Sequence, residues 1–182
     1  PRGEDAVLVA VQSALVGRPG VLAGARALSH FGEHSAGWVA VAAAGALAQP
    51  SRRKSWIAVG AGAVAAHAAA VLIKRVVRRE RPHHPDIAVN VATPSRLSFP
   101  SAHATSTTAA AVLLAQVTGL PMPSLLVPPM VLSRLVLGVH YPTDVLTGVV
   151  VGAIVGKTVG KSVGAVTGRV PDSVGPKETD RA

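Results

Sequence analysis

The sequence predicts an all-α fold, a polytopic membrane helical bundle of about five to six membrane helices with a short interfacial helix at the amino end. Three observations carry that prediction. Residues 55–73 form an apolar run in which His67 is the only strongly polar side chain, and at about 1.5 Å per residue the run matches a hydrocarbon core of about 30 Å. Apolar character returns over residues 102–119, 121–139 and 143 to about 165, parted by Gly119-Leu120-Pro121 and by Tyr141-Pro142. Of the residues, 49% are apolar, and there are 18 glycines and only five aromatics, so the helices must pack through small side chains rather than around rings.

Residues 5–17 and 20–31 mix apolar residues with Arg18, Arg26 and His30, and each segment is too short to cross the hydrocarbon core. Residues 1–34 therefore read as interfacial or partly inserted helices. The amino end carries Glu4 and Asp5 before a weak apolar run and does not read as a signal peptide. Residues 35–49 form an Ala-rich short span around Trp38, closed by Gln49-Pro50 and the basic turn Arg52-Arg53-Lys54. Residues 74–100 are basic and Pro-rich, and a loop this long in a compact domain is usually functional. The 182 residues suffice for one domain, with a catalytic helical core over 35–166 and a flexible tail over 167–182. Trp38, Trp56 and Phe99 stand out as anchors, and His67 reads as a buried, hydrogen-bonded helix histidine.

The last apolar segment carries a glycine at every fourth position, Gly148, Gly152, Gly156, Gly160, Gly164 and Gly168. Small residues at that spacing line one stripe of a helix and let a second backbone approach closely. The stripe is a packing face, either within the chain or toward a second copy or a partner membrane enzyme.

A net charge of +9 would suggest nucleic acid in a soluble protein, but the basic residues cluster at the ends of apolar segments. Membrane lipids with anionic headgroups are the better-matched partner, and no nucleic acid is expected. The absence of cysteine excludes disulfides and thiolate metal sites.

Three stretches carry chemistry. If the helix from residue 55 continues past Ile73, then Lys74, Arg78 and Arg81 share one face, and Pro82 turns the chain so that Arg81 can point inward. An ammonium and a guanidinium fork suit phosphate oxygens, although a basic cluster after a span also serves as a topology signal. In the second stretch, Pro100-Ser101-Ala102-His103 marks a helix start, where the N–H groups near Ser101 and Ala102 offer an anion site that His103 could reach. In the third, Arg134 lies within an apolar span, where a charge is costly and needs a partner such as phosphate. Beyond it, Asp144 lies in the first turn of a helix begun by Pro142, and the loop can return it to His140 to fix the imidazole tautomer.

Lys-x6-Arg-Pro, Pro-Ser-x-His and Ser-Arg-x5-His-x3-Asp occur in that order, each at the end of a membrane helix. The pattern resembles the type 2 phosphatidic acid phosphatase (PAP2) family, which shares an ancestral fold with bacterial acid phosphatases and vanadium haloperoxidases, over roughly residues 55–165. The resemblance implies that His140 is a nucleophile activated by Asp144, that His103 protonates the leaving oxygen, and that Lys74, Arg81, Ser101, Arg134 and the Ala102 N–H hold the phosphoryl group. Ala102 departs from the glycine usual in the family, which implies altered packing there rather than lost activity.

No cofactor and no metal are expected, because two-metal phosphatases need several convergent carboxylates and only Glu33, Glu80, Asp86 and Asp144 lie between the terminal segments. Within the family, Leu28-Ser29-His30-Phe31-Gly32-Glu33-His34, the Arg81-Pro82-His83-His84-Pro85 turn and the Gly-rich last span resemble phosphatases of phosphoribosylated polyprenyl phosphates, which serve cell-wall arabinan precursor synthesis. Polyprenyl diphosphate, phosphatidylglycerophosphate and phosphatidate remain alternative substrates, and a catalytically silent membrane scaffold is the alternative outside enzymes. His83, His84, Glu33 and His34 are the residues expected to contact the headgroup. The resemblance places the chain in the plasma membrane as a multi-pass protein with a cytoplasmic active site.

Overall fold

The computed structural model describes residues 2–167, so of the tail expected over 167–182 only Thr167, the last residue of the final helix, is described and the rest lies outside the described residues. Among these, the chain forms α1 (Glu4–Leu15), α2 (Val21–Gly32), α3 (Ala36–Ala48), α4 (Arg53–Val77), α5 (Ala102–Thr118), α6 (Met122–Val136) and α7 (Pro142–Thr167). Short 3₁₀ turns at Glu33–Ser35 and Pro50–Arg52 introduce α3 and α4. An isolated antiparallel bridge between Glu80 and Leu97 closes the long linker between α4 and α5 on itself.

The central element is α5, which packs against α4, α6 and α7. Every residue from Ala104 to Ala111 is buried, so the helix is enclosed on all sides for two turns. That enclosure is open to a helix of Ala, Ser and Thr because its hydroxyls find partners at hand. Thr105 and Thr108 donate to the carbonyls of Ser101 and Ala104 at 2.8 Å, and Thr107 accepts from the Trp38 indole at 3.2 Å.

Gly148, Gly152, Gly156 and Gly160 of the glycine stripe lie against α5, while Gly168 lies outside the described residues. A methyl group at Gly148 or Gly156 would press on the carbonyls of Ser101 or Ala109, and one at Gly152 would overlap the Thr105 carbonyl. Gly160 meets the Gln116 side chain. The stripe therefore serves contact within the chain, and α5 occupies the face that a second copy or partner enzyme would need for the expected contact through Gly148, Gly152, Gly156 and Gly160.

Two core clusters hold the bundle. One unites Trp38, Ala42, Trp56, Val59, Leu113, Leu114 and their neighbours from α3, α4 and α5, and the other joins Ala25 to Val136, Leu137 and Val139. Trp38 and Trp56, expected as anchors, are core residues instead, and Phe31 meets Trp38 edge to face at 4.8 Å between centroids.

Two segments are long and apolar enough to cross a membrane, Pro50–Val77 and Pro142–Ala165, while Met122–Val136 is a shorter apolar helix. The remaining helices have 12 to 17 residues, so fewer helices meet the length and hydropathy of a span than the five to six expected.

Helix α4 ends at Val77 because Arg78 adopts a left-handed conformation, φ 54°, and its N–H closes on the Lys74 carbonyl. The expected cationic face of Lys74, Arg78 and Arg81 is therefore not a helical face, since Arg78 turns the chain before Arg81 is reached. Helix α1 packs on α6 and α7 rather than lying apart. From it, the Gln12 side-chain amide donates to the carbonyls of Ala88 (2.7 Å) and Val136 (3.1 Å) and accepts from the Ala88 N–H (2.9 Å), which fixes the linker to the end of α6.

Candidate active site

The ends of α2, α4, α5 and α6 and the linker enclose a cavity of about 780 Å³ lined by Lys74, Arg81, Ala102, His103, Arg134 and His140. Six of the eight residues expected to handle phosphate thus meet at one space. Ser101 and Asp144 are fully buried behind its wall.

Lys74 comes from the last turn of α4, and its ammonium donates to the carbonyls of Ser98 (2.8 Å) and Leu97 (3.2 Å). An ammonium has three donors, so one remains for the cavity. Arg81 is held by the linker and by the loop after α6, donating from Nε to the Ser95 carbonyl (2.8 Å) and from Nη1 to the Val139 carbonyl (2.6 Å). Burial lowers its pKa to about 10 against the pull of Asp144, so Arg81 stays charged at neutral pH. Arg134, 2% exposed, has no protein partner at Nε or Nη2. A fully buried guanidinium with two unmet donors at a cavity wall fits an anion with several oxygens.

Arg81 Nη1 also lies 3.2 Å from His140 Nε2. Because a guanidinium only donates, Nε2 must carry the lone pair and Nδ1 the hydrogen. Burial, then the charges of Arg81, Lys74 and Arg134, hold the His140 pKa well below 6.5, so the imidazole is neutral. Its Nδ1 faces Asp144 Oδ2 at 3.6 Å, in ion-pair range but longer than a hydrogen bond. Asp144 is held by the Tyr141 N–H on Oδ2 (2.8 Å) and by Arg79 Nη1 on Oδ1 (3.0 Å). The two helix starts are tied together, since the Ser101 N–H donates to the Asp144 carbonyl at 2.9 Å.

Ser101 caps α5, its Oγ accepting from the Ala104 N–H at 3.4 Å. The cavity is met at this helix start by Ala102. The first-turn N–H groups of Ala102 and His103 have no partner one turn back. His103 Nε2 lies 2.9 Å from the Ser29 carbonyl, to which it donates, leaving Nδ1 without a protein partner. A methyl group at Gly32 would strike the His103 ring, so α2 can approach His103 only through glycine there.

The headgroup candidates divide. Glu33 and His34 line the cavity, and His34 stands in a left-handed conformation, φ 49°, with its ring 5.9 Å from that of His67. His83 and His84 do not line it; His83 turns to the Arg81 carbonyl and His84 accepts from the Asp86 N–H at 3.2 Å. His67, expected to be hydrogen-bonded, has no partner at Nδ1 and lines the cavity beside His34. Sequence reasoning missed Arg79, Glu4, Gln12 and the Ser29 carbonyl. A Gln among apolar residues of α1 was the one available signal, since a backbone carbonyl has no signature and Arg79 stands in a basic run.

The PAP2 superfamily model matches residues 55–166. The chain belongs to the PAP2 superfamily. Over 148 residues it is 87% identical to decaprenylphosphoryl-5-phosphoribose phosphatase of Mycolicibacterium smegmatis, covering 81% of this chain and 82% of that protein. It is 70% identical over 148 residues to the protein of the same name from Mycobacterium tuberculosis, covering 81% of this chain and 84% of that one. Among solved structures it is similar to Aquifex aeolicus LpxE, with a TM-score of 0.64 and 20% identity over 87% of this chain and 94% of that one, a likeness of fold. This PAP2 protein is a phosphatase acting on phosphoric monoesters.

If the unmet donors of Arg134 receive phosphate oxygens, inorganic phosphate raises the melting temperature of the detergent-solubilised protein, and Arg134→Met removes most of that rise. The shift is read by tryptophan fluorescence over a phosphate titration. An equal rise in the variant would show that Arg134 does not contact the anion.

Proposed function

We propose that this PAP2 phosphatase cleaves the 5-phosphate of decaprenylphosphoryl-5-phosphoribose through a phosphohistidine, leaving the phosphodiester to the lipid intact. The single observation that carries the chemistry is His140 at the cavity wall, neutral, with its Nε2 lone pair turned to Arg81 Nη1 and its Nδ1 toward Asp144. Nε2 attacks phosphorus as the phosphate takes over its Arg81 contact, and the bond to the leaving ribose oxygen breaks as His103, protonated at Nδ1 when the phosphate dianion enters beside it, passes that proton to the oxygen. Lys74, Arg81, Arg134 and the Ala102 N–H stabilise the charge on the three equatorial oxygens, with Ser101 holding the helix start that presents that N–H. Asp144 stabilises the cationic ring as the phosphohistidine forms. Water then attacks phosphorus, His103 takes its proton, and inorganic phosphate leaves with His140 restored. No step calls for a metal ion.

Two features support the lipid. The relatives at 87% and 70% identity bear that substrate in their names. The cavity is also lined by Arg26 and Arg75, which make no hydrogen bond or ion pair with His140 or Asp144 and suit a second anionic group such as the lipid phosphodiester. With EDTA present, phosphate release from decaprenylphosphoryl-5-phosphoribose proceeds with a higher kcat/KM than from decaprenyl diphosphate or phosphatidate. Preference for the diphosphate would contradict the substrate, and loss of activity in EDTA would contradict the metal-free mechanism.

In the same reading the chain is a multi-pass plasma-membrane protein, with α4 and α7 as spans, shorter helices completing the bundle, and the cavity opening to the cytoplasm. The chain has no native cysteine, so Asp86→Cys in the exposed linker reports orientation cleanly. An impermeant thiol reagent labels it only after the cells are opened; labelling of intact cells would place the cavity outside.

A further inference from the structure

Arg79 lies between the left-handed turn at Arg78 and the Arg81-Pro82 pair, and it does not line the cavity. Its guanidinium nonetheless makes the densest set of polar contacts near the site. Nη1 donates to Asp144 Oδ1 (3.0 Å) and to Thr143 Oγ1 (2.7 Å), and Nη2 donates to Glu4 Oε2 (2.6 Å). The guanidinium carbon stands 4.0 Å over the Tyr141 ring. Glu4 in turn accepts from the Thr143 N–H (2.9 Å) and hydroxyl (2.8 Å) at Oε1. Three contact points of the loop and first turn that carry His140 and Asp144, namely Tyr141, Thr143 and Asp144, are thus gathered on one guanidinium anchored to α1.

We propose that Arg79, fastened by Glu4, is a positioning residue that holds the Asp144 carboxylate from the side away from the cavity and keeps it aimed at His140 Nδ1. The inference rests on the proposed roles of His140 and Asp144. A fully buried carboxylate needs a donor on each oxygen; among the described residues Arg79 donates to Oδ1 and the Tyr141 N–H to Oδ2, with the Ser98 hydroxyl close by. With Oδ1 fixed by Arg79, the remaining lone pair of Oδ2 faces Nδ1 across 3.6 Å, a gap that attraction closes when phosphorylation makes the ring cationic. Without Arg79 the carboxylate is free to rotate away or to take up a proton, and either change leaves His140 unsupported.

Asp144 is surrounded by Glu4 of α1, Lys74 of α4, Arg79 and Arg81 of the linker, and His140 and Tyr141 of its own loop. Lys74 and Arg81 will be partly neutralised by bound phosphate, whereas Arg79 lies outside the cavity and keeps its charge on Asp144 throughout the reaction. Burial lowers the Arg79 pKa, but the Glu4 hydrogen bond and the charge of Asp144 outweigh it and raise the value above the usual guanidinium range, so Arg79 is always a cation.

The test compares wild type, Arg79→Met, Arg79→Lys and His140→Ala, all scored per folded molecule by tryptophan fluorescence. Arg79→Met is expected to lower kcat about 10- to 100-fold, as a small misplacement of a reacting group does. KM stays within about threefold and the phosphate-induced melting shift is kept, because Arg79 does not touch the substrate. The acid limb of its kcat profile moves to higher pH, since a cation favouring ionised Asp144 is gone. Arg79→Lys keeps the charge but not the fork that spans Asp144 and Glu4, so kcat falls less and the acid limb stays in place. Should Arg79→Met fail to fold, Arg79→Lys alone decides by its kcat. Wild-type kcat in the folded variants, or a raised KM with kcat unchanged, would overturn the proposal while His140→Ala remained inactive. Activity in His140→Ala would instead overturn the nucleophile assignment beneath it.

Discussion

Everything at this site depends on holding three cations, buried Lys74 and Arg134 and half-buried Arg81, around one cavity. An unpaired buried charge costs several kcal/mol, and like charges at close quarters add to that cost. The fold meets much of it with backbone carbonyls, those of Leu97 and Ser98 for Lys74 and those of Ser95 and Val139 for Arg81. This explains why the linker from α4 to α5 is long and irregular: a regular strand or helix would have spent those carbonyls on itself. The donor nitrogens left over, Nε and Nη2 of Arg134 above all, are the ones the proposed mechanism assigns to the phosphate.

The bundle supplies the second condition, which is position. His103 lies in the first turn of α5 and His140 two residues before α7, so their separation is set by how closely those two helices approach at their amino ends. Gly148, Gly152 and Gly156 bring the backbone of α7 onto carbonyls of α5, and the Ser101 to Asp144 backbone bond locks the two starts. A stripe that resembles an oligomerisation surface in the sequence in this way sets the spacing between the two histidines of the candidate site. Helices α1 and α2 complete it from outside, α2 through the Ser29 carbonyl on His103 and α1 through Gln12 and Glu4.

The order and placement of the seven helices were legible because Pro, Gly and basic clusters punctuate the apolar runs, and α4, α5 and α7 lie within a few residues of the expected segments. Lys74, Arg81, His103, Arg134 and His140 drew attention in the sequence because each is a charged or titratable group near a helix end, where a hydrophobic pattern gives it no other reason to be, and the fold brings them to one cavity. Legibility ended where identity and role part. Arg78 and Arg79 are the same residue type side by side, yet one caps α4 and faces solvent while the other holds Asp144. His83 and His84 share the composition of a binding segment but are turned to the linker's own backbone. The backbone carbonyls that orient Lys74, Arg81 and His103 have no sequence signal at all.

The account stands on a covalent bond between phosphorus and His140. The most direct measurement is to mix the enzyme with substrate labelled in the 5-phosphate, quench within one turnover in alkali, which preserves a phosphoramidate, and map the labelled peptide. The account predicts label on the peptide carrying His140, formed and lost at rates consistent with turnover and absent from His140→Ala. Label on another residue, or rapid phosphate release by wild type with no labelled peptide at any time, would contradict it.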